Sequence, residues 1–149
     1  MKTLILGMGN PILTDDGVGL KIARRLKETR DGLEVVETSE AGIALLDLIL
    51  GYNRLIVIDS IKIDEGEPGE FYQLALEDLE PGQEFSSSHG IGLATAFALG
   101  QRLGYPLPQA VSIYAVNIKD NSTFGEECTE AIRKRLPDIV QKIIKEERL

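Results

Sequence analysis

A chain of 149 residues with 43% apolar and 27% charged positions is long enough to bury one proper core and has the composition of an ordinary soluble globular domain. Its net charge of −8, from 24 acids against 16 Lys and Arg, repels phosphate backbones and argues against a nucleic-acid partner. The one cysteine, Cys128, excludes an internal disulfide and a Cys-rich zinc cluster. No apolar run approaches the ~20 residues of a membrane span, and no basic segment precedes an apolar one at the start, so the expected compartment is the cytosol.

The first apolar run, Leu4-Ile5-Leu6, enters a Gly7-Met8-Gly9-Asn10-Pro11 turn, which predicts a strand stopped by residues suited to tight turns. Asp15 and Asp16 follow at the mouth of a helix running from Asp16 to about Thr29, where Val18, Ile22 and Leu26 recur every four residues. Lys21, Arg24, Arg25 and Lys27 fall on its wet face. Leu33 to Glu37 reads as a second strand. Ile43 to Leu50 reads as a short helix stopped by Gly51, and Arg54 to Asp59 as a strand apolar enough to be covered on both faces. Residues Glu70 to Leu74 suggest an edge strand, and the acidic stretch Glu77 to Glu84 a solvated loop. A helix is expected from the Ser86-Ser87-Ser88-His89-Gly90 turn to about Leu103, then a strand from Ala110 to Asn117. From Glu126 onward, Cys128, Ile132, Leu136, Ile139 and Ile143 mark one long helix kinked at Pro137. This alternation predicts a single α/β domain over residues 1–149, a mostly parallel twisted sheet of about five strands with helices on both faces.

Three side chains stand out as chemistry. A helix start uses one carboxylate as a cap, so the second of Asp15 and Asp16 is spare. The spare one, Asp16, stands at the carboxyl end of the first strand, the edge at which open α/β sheets bind ligands. Asp59 ends the most hydrophobic strand, where a charge is costly without a partner or an open rim. In a flavodoxin-like winding the first and third strands are neighbours and the two acids meet across one crevice; in a three-two-one order a strand separates them. His89, the one histidine, sits in the turn into a later helix. Two carboxylates and an imidazole make a three-ligand set for a borderline divalent metal with positions left open.

Rival arrangements have less behind them. There is no second His for a His-Glu-x-x-His zinc site, no Gly-x-Ser-x-Gly elbow and no nucleotide phosphate loop. Cys128 lies on an apolar stripe and reads as core. A dinucleotide-binding module remains an alternative, with Gly7, Gly9 and a ribose-binding Glu37, although Ile12 stands where the third glycine belongs and two acids occupy the pyrophosphate position. A small-amide hydrolase holding its own zinc is the other alternative.

Taken together, Gly7-Met8-Gly9-Asn10-Pro11, Thr14-Asp15-Asp16-Gly17-Val18-Gly19, Ala41-Gly42, Leu55-Ile56-Val57-Ile58-Asp59, Pro68-Gly69 and Ser88-His89 resemble the hydrogenase maturation endopeptidases over nearly the whole length. The resemblance implies an endopeptidase that removes the C-terminal extension of a nickel-loaded [NiFe] hydrogenase large-subunit precursor. It further implies nickel supplied by that precursor, with Asp16, Asp59 and His89 as both the metal-contacting and the catalytic residues; the chain is expected to be a monomer. Asp16 stands where many relatives have Glu, Thr38-Ser39-Glu40 where many are richer in Gly, and Ile118-Lys119-Asp120 where many have a Pro-containing segment.

Overall fold

The computed structural model describes residues 1–40, 42–79 and 88–149, with the side chains of 88–91 left out. Five strands, β1 (Thr3–Met8), β2 (Glu34–Thr38), β3 (Arg54–Ile61), β4 (Phe71–Leu74) and β5 (Ala110–Asn117), form one sheet in the order β2-β1-β3-β5-β4. All pairings are parallel except that of β4, which runs antiparallel to β5 on the edge. The winding that puts β1 beside β3 is therefore the one adopted, with Gly7 opposite Ile58.

The sheet is covered on both faces, as the near-continuous apolar strands demand. Ile5, Ile56 and Ile58 pack with α1 (Val18–Thr29), α4 (Glu130–Arg133) and α5 (Leu136–Glu147). Leu4, Leu6, Leu55 and Val57 pack with α2 (Ala44–Ile49) and α3 (Ser88–Leu103). Helix α1 has only 12 residues, too few to persist alone in water. Its fully buried Val18, Ile22 and Leu26 supply the packing that holds it, each worth about 1.5–3 kcal/mol of apolar burial.

Three expectations need correcting. The C-terminal helix does not begin at Glu126 and is not one kinked rod: α4 begins at Glu130, and two turn residues separate it from α5. Pro137 explains the break, because its ring would clash with the carbonyl of Arg133, four residues back, where α4 ends. Proline is instead accommodated in the first turn of α5. The first helix also starts later than expected, because Thr14–Gly17 form a 3-10 turn ahead of α1. Leading into the acidic stretch, Leu76–Leu79 make another 3-10 turn; residues 80–84 lie outside the described residues, as do Ser86, Ser87 and Ala41.

At the amino end of the sheet Glu147 is buried, ion-paired to Arg54 at 2.6 Å, and accepts the hydroxyl of the fully buried Tyr114. Burial, reinforced by that carboxylate, pushes the Tyr114 phenol well above its ordinary value near 10. A raised folded-state value means stability is complete below the unfolded value and is lost as pH climbs beyond it. Unfolding by urea should thus turn steeply easier above pH of about 10, and Tyr114→Phe should flatten that fall. Tyr52 and Tyr72, raised by their hydrogen bonds to Glu34 and Glu70, will leave a shallow residual slope. An equally steep fall in Tyr114→Phe would refute the assignment.

Candidate active site at the carboxyl edge of the sheet

Glycine sets the geometry here. A β-carbon on Gly19 would lie 2.3 Å from the Ile58 carbonyl oxygen and 2.5 Å from that of Met8; one on Gly7 would lie 2.6 Å from Ala23 Cβ. Bare backbone thus lets the start of α1 sit directly on β1 and β3. The 3-10 turn preceding it is drawn onto the end of β3.

That approach sorts the two adjacent acids, and neither caps α1, whose N-terminus makes no side-chain cap bond. Asp15 turns inward and is 0% exposed. Its Oδ1 accepts the Thr129 amide at 2.7 Å, its Oδ2 accepts the amides of Asp120 at 3.0 Å and Lys119 at 3.2 Å, and the Thr129 hydroxyl donates as well. Backbone bonds from Thr14 to Gly125 and from Asp15 to Asp120 reinforce the tie. Asp15 is a clamp between the turn after β1 and the segment after β5.

Asp16 faces the rim. Its Oδ2 accepts the Asn10 amide at 2.9 Å and its Oδ1 accepts the Ser60 hydroxyl at 2.7 Å. The Ser60 amide in turn donates to Asp59 Oδ1 at 2.8 Å. Ser60 therefore bonds to both carboxylates, to Asp16 through its hydroxyl and to Asp59 through its amide, at the carboxyl ends of the neighbouring strands β1 and β3. Asp59 is 5% exposed and lines a small, largely apolar cleft with Met8, Val57, Leu79 and Leu93. Asp16 is more open. The His89 side chain lies outside the described residues; its backbone is in the first turn of α3. Among the described residues no three His, Cys, Asp or Glu side chains converge as a metal site.

Two supports escaped the sequence reading. Ser60 was one; a hydroxyl directly after the strand-end acid, where alternation would otherwise place an apolar residue, was the available signal. The Asp15 clamp was the other, since its partners at 119, 120 and 129 are far along the chain. Glu37, the ribose acceptor of the dinucleotide reading, pairs with Arg24 at 2.6 Å. Cys128 is buried core as expected, its thiol pushed up to about 11 by burial and by Asp15, which keeps it protonated and unreactive near neutrality.

The chain and its fold have counterparts. Residues 18–146 match the sequence model of the HycI hydrogenase maturation protease family. The chain belongs to that family. As a maturation protease it is 33% identical to the hydrogenase 2 maturation protease of Escherichia coli over 100 residues, an alignment spanning 63% of this chain and 60% of that relative. It is 30% identical to protein FrxA of Pyrococcus furiosus over 134 residues, 87% of this chain and 93% of the relative. Among solved structures it superposes on the [NiFe] hydrogenase maturation protease HybD from Thermococcus kodakarensis with TM-score 0.75 and 29% identity, covering 97% of this chain and 98% of that one. The hydrogenase-maturating endopeptidase HybD of E. coli gives TM-score 0.83 at 23% identity, over 99% and 93% of the two chains, and so shares the maturation protease fold. No helix among the described residues is long and apolar enough to cross a membrane.

Proposed function

We propose that this chain is the endopeptidase that trims the C-terminal extension from a nickel-loaded [NiFe] hydrogenase large-subunit precursor, acting as a cytoplasmic monomer with Asp16, Asp59 and His89 as its working residues. The observation that carries the reading is the Ser60 bridge, which holds two carboxylates at the carboxyl edge of a sheet in a maturation protease chain. Helical periodicity supports the third member: Leu93 lines the cleft beside Asp59, and position 89 lies four residues, about one turn, ahead of it.

In this reading nickel is cargo of the substrate. Asp16, Asp59 and His89 engage the ion carried by the precursor and so align one peptide bond over the rim, a gain of orientation that costs the enzyme no resident metal. A carboxylate of the pair takes a proton from the attacking water; the oxygen adds to the carbonyl carbon, the C–N bond breaks, and the proton passes to the departing amine. Site and cargo together complete the binding set, so cleavage reports correct loading.

The test is incubation of the purified chain with nickel-loaded and nickel-depleted precursor, with the precursor C-terminus read by mass spectrometry. Release of one C-terminal peptide from the loaded form alone is expected. Equal cleavage of both forms, together with stoichiometric zinc in the fresh protein, would instead indicate a hydrolase with its own metal.

A further inference from the structure

Building on that reading, we infer that Phe124 and Ile12 form a docking subsite for an apolar side chain of the precursor polypeptide beside the scissile bond. Among the described residues Phe124 is the most exposed large apolar side chain after Met1, at 80%, and Ile12 is 48% exposed. Leu13 pairs in parallel with Gly125, through Thr14 N to Gly125 O at 3.0 Å and Gly125 N to Ile12 O at 2.9 Å. Ile12 and Phe124 each stand one residue before a partner of that bridge, so they occupy neighbouring register positions.

The backbone beneath them is over-determined. On one side of Phe124, the Thr14 hydroxyl donates to the Thr123 carbonyl; on the other, Gly125 is in the bridge. Asp120 Oδ1 accepts the amides of Ser122 and Thr123, both at 3.0 Å, and those bonds hold its carboxyl down at about 2. An aromatic displayed bare on a fixed backbone carries little ordering cost on association and a large area to bury, the character of an interface anchor.

Position and charge identify the occupant. Ile12 lies on the turn that carries Asp16, whose amide bonds back to Leu13 at 3.0 Å, so a polypeptide crossing the rim to reach Asp16 passes this pair. The exposed Glu126 and Glu127 that follow Phe124, the ionised Asp120, and the overall charge of −8 repel anionic lipid, nucleic acid and a second copy of this acidic face alike.

The experiment compares wild type, Phe124→Ser, Phe124→Leu and Ile12→Ser, using nickel-loaded precursor as the probe for both steady-state cleavage and equilibrium binding by calorimetry. Phe124→Ser should raise KM and weaken binding about tenfold or more, with kcat and the melting temperature unchanged. Ile12→Ser should do so by a few-fold, and Phe124→Leu should restore most of the loss. Unchanged KM and affinity in Phe124→Ser would overturn the subsite, as would a wild-type dimer that this variant converts to monomer without affecting precursor binding. Tight binding by the wild type without cleavage, weakened in Phe124→Ser, would uphold the subsite and sink the peptidase reading; absence of binding by the wild type would sink both.

Discussion

Asp59→Asn and Asp16→Asn should each lower kcat/KM for the nickel-loaded precursor by about a hundredfold to ten-thousandfold, the range a positioned proton acceptor or metal contact supplies, while leaving the fold standing. The amide is nearly isosteric with the carboxylate. Its oxygen still accepts the Ser60 amide in one case, and either the Ser60 hydroxyl or the Asn10 amide in the other. What it loses is the charge and the capacity to take a proton. His89→Ala should fall in the same class. Asp15→Ala, one position away, should behave in the opposite sense. It strands three amides, those of Lys119, Asp120 and Thr129, and a stranded buried donor costs about 1–3 kcal/mol. A loss of several kcal/mol should lower the melting temperature by about 10 °C in a chain of this size. Scanning calorimetry beside the cleavage assay separates the two classes. Full activity in Asp16→Asn, Asp59→Asn and His89→Ala together would remove the proposed mechanism.

Gly19→Ala should damage both stability and catalysis. The added methyl would meet two backbone carbonyl oxygens, of Ile58 and Met8, in two paired inner strands of the sheet, and neither can swing aside as a side chain would. The start of α1 has to lift, at about 1–3 kcal/mol or more for overpacking. The turn carrying Asp16 lifts with it, away from Ser60. A misplacement of about 1 Å at a reacting group costs on the order of a hundredfold in rate, so cleavage should fall further than the lost stability alone explains. The decisive measurement is kcat well below the melting transition. A variant that melts early but cleaves normally when folded would show that α1 does not position Asp16.

The architecture was readable because hydrophobic period and turn chemistry agreed along the chain: five strands were anticipated near their observed places, and the sharpest signals, Leu55 to Ile58 and Val18 to Leu26, became the buried centre. Element ends were less accessible. The stripe from Cys128 to Ile143 has helical spacing throughout, yet Pro137 imposes a backbone constraint that side-chain periodicity does not encode. Asp16 and Asp59 were picked out because charge at the end of an apolar strand or beside a glycine turn is costly without a purpose. The clamp role of Asp15 and the Ser60 support of Asp16 were hidden, since they depend on contacts more than 100 residues away for the first and 44 for the second.

The Asp15 clamp couples two features that would otherwise drift independently among relatives. The turn bearing Asp16 and the segment bearing Phe124 are bolted into one mechanical piece, so lengthening the latter would drag Asp16 out of alignment. Partner choice in a protease built this way should diversify by swapping side chains on a segment of fixed length, and insertions between Asp120 and Thr129 should be selected against.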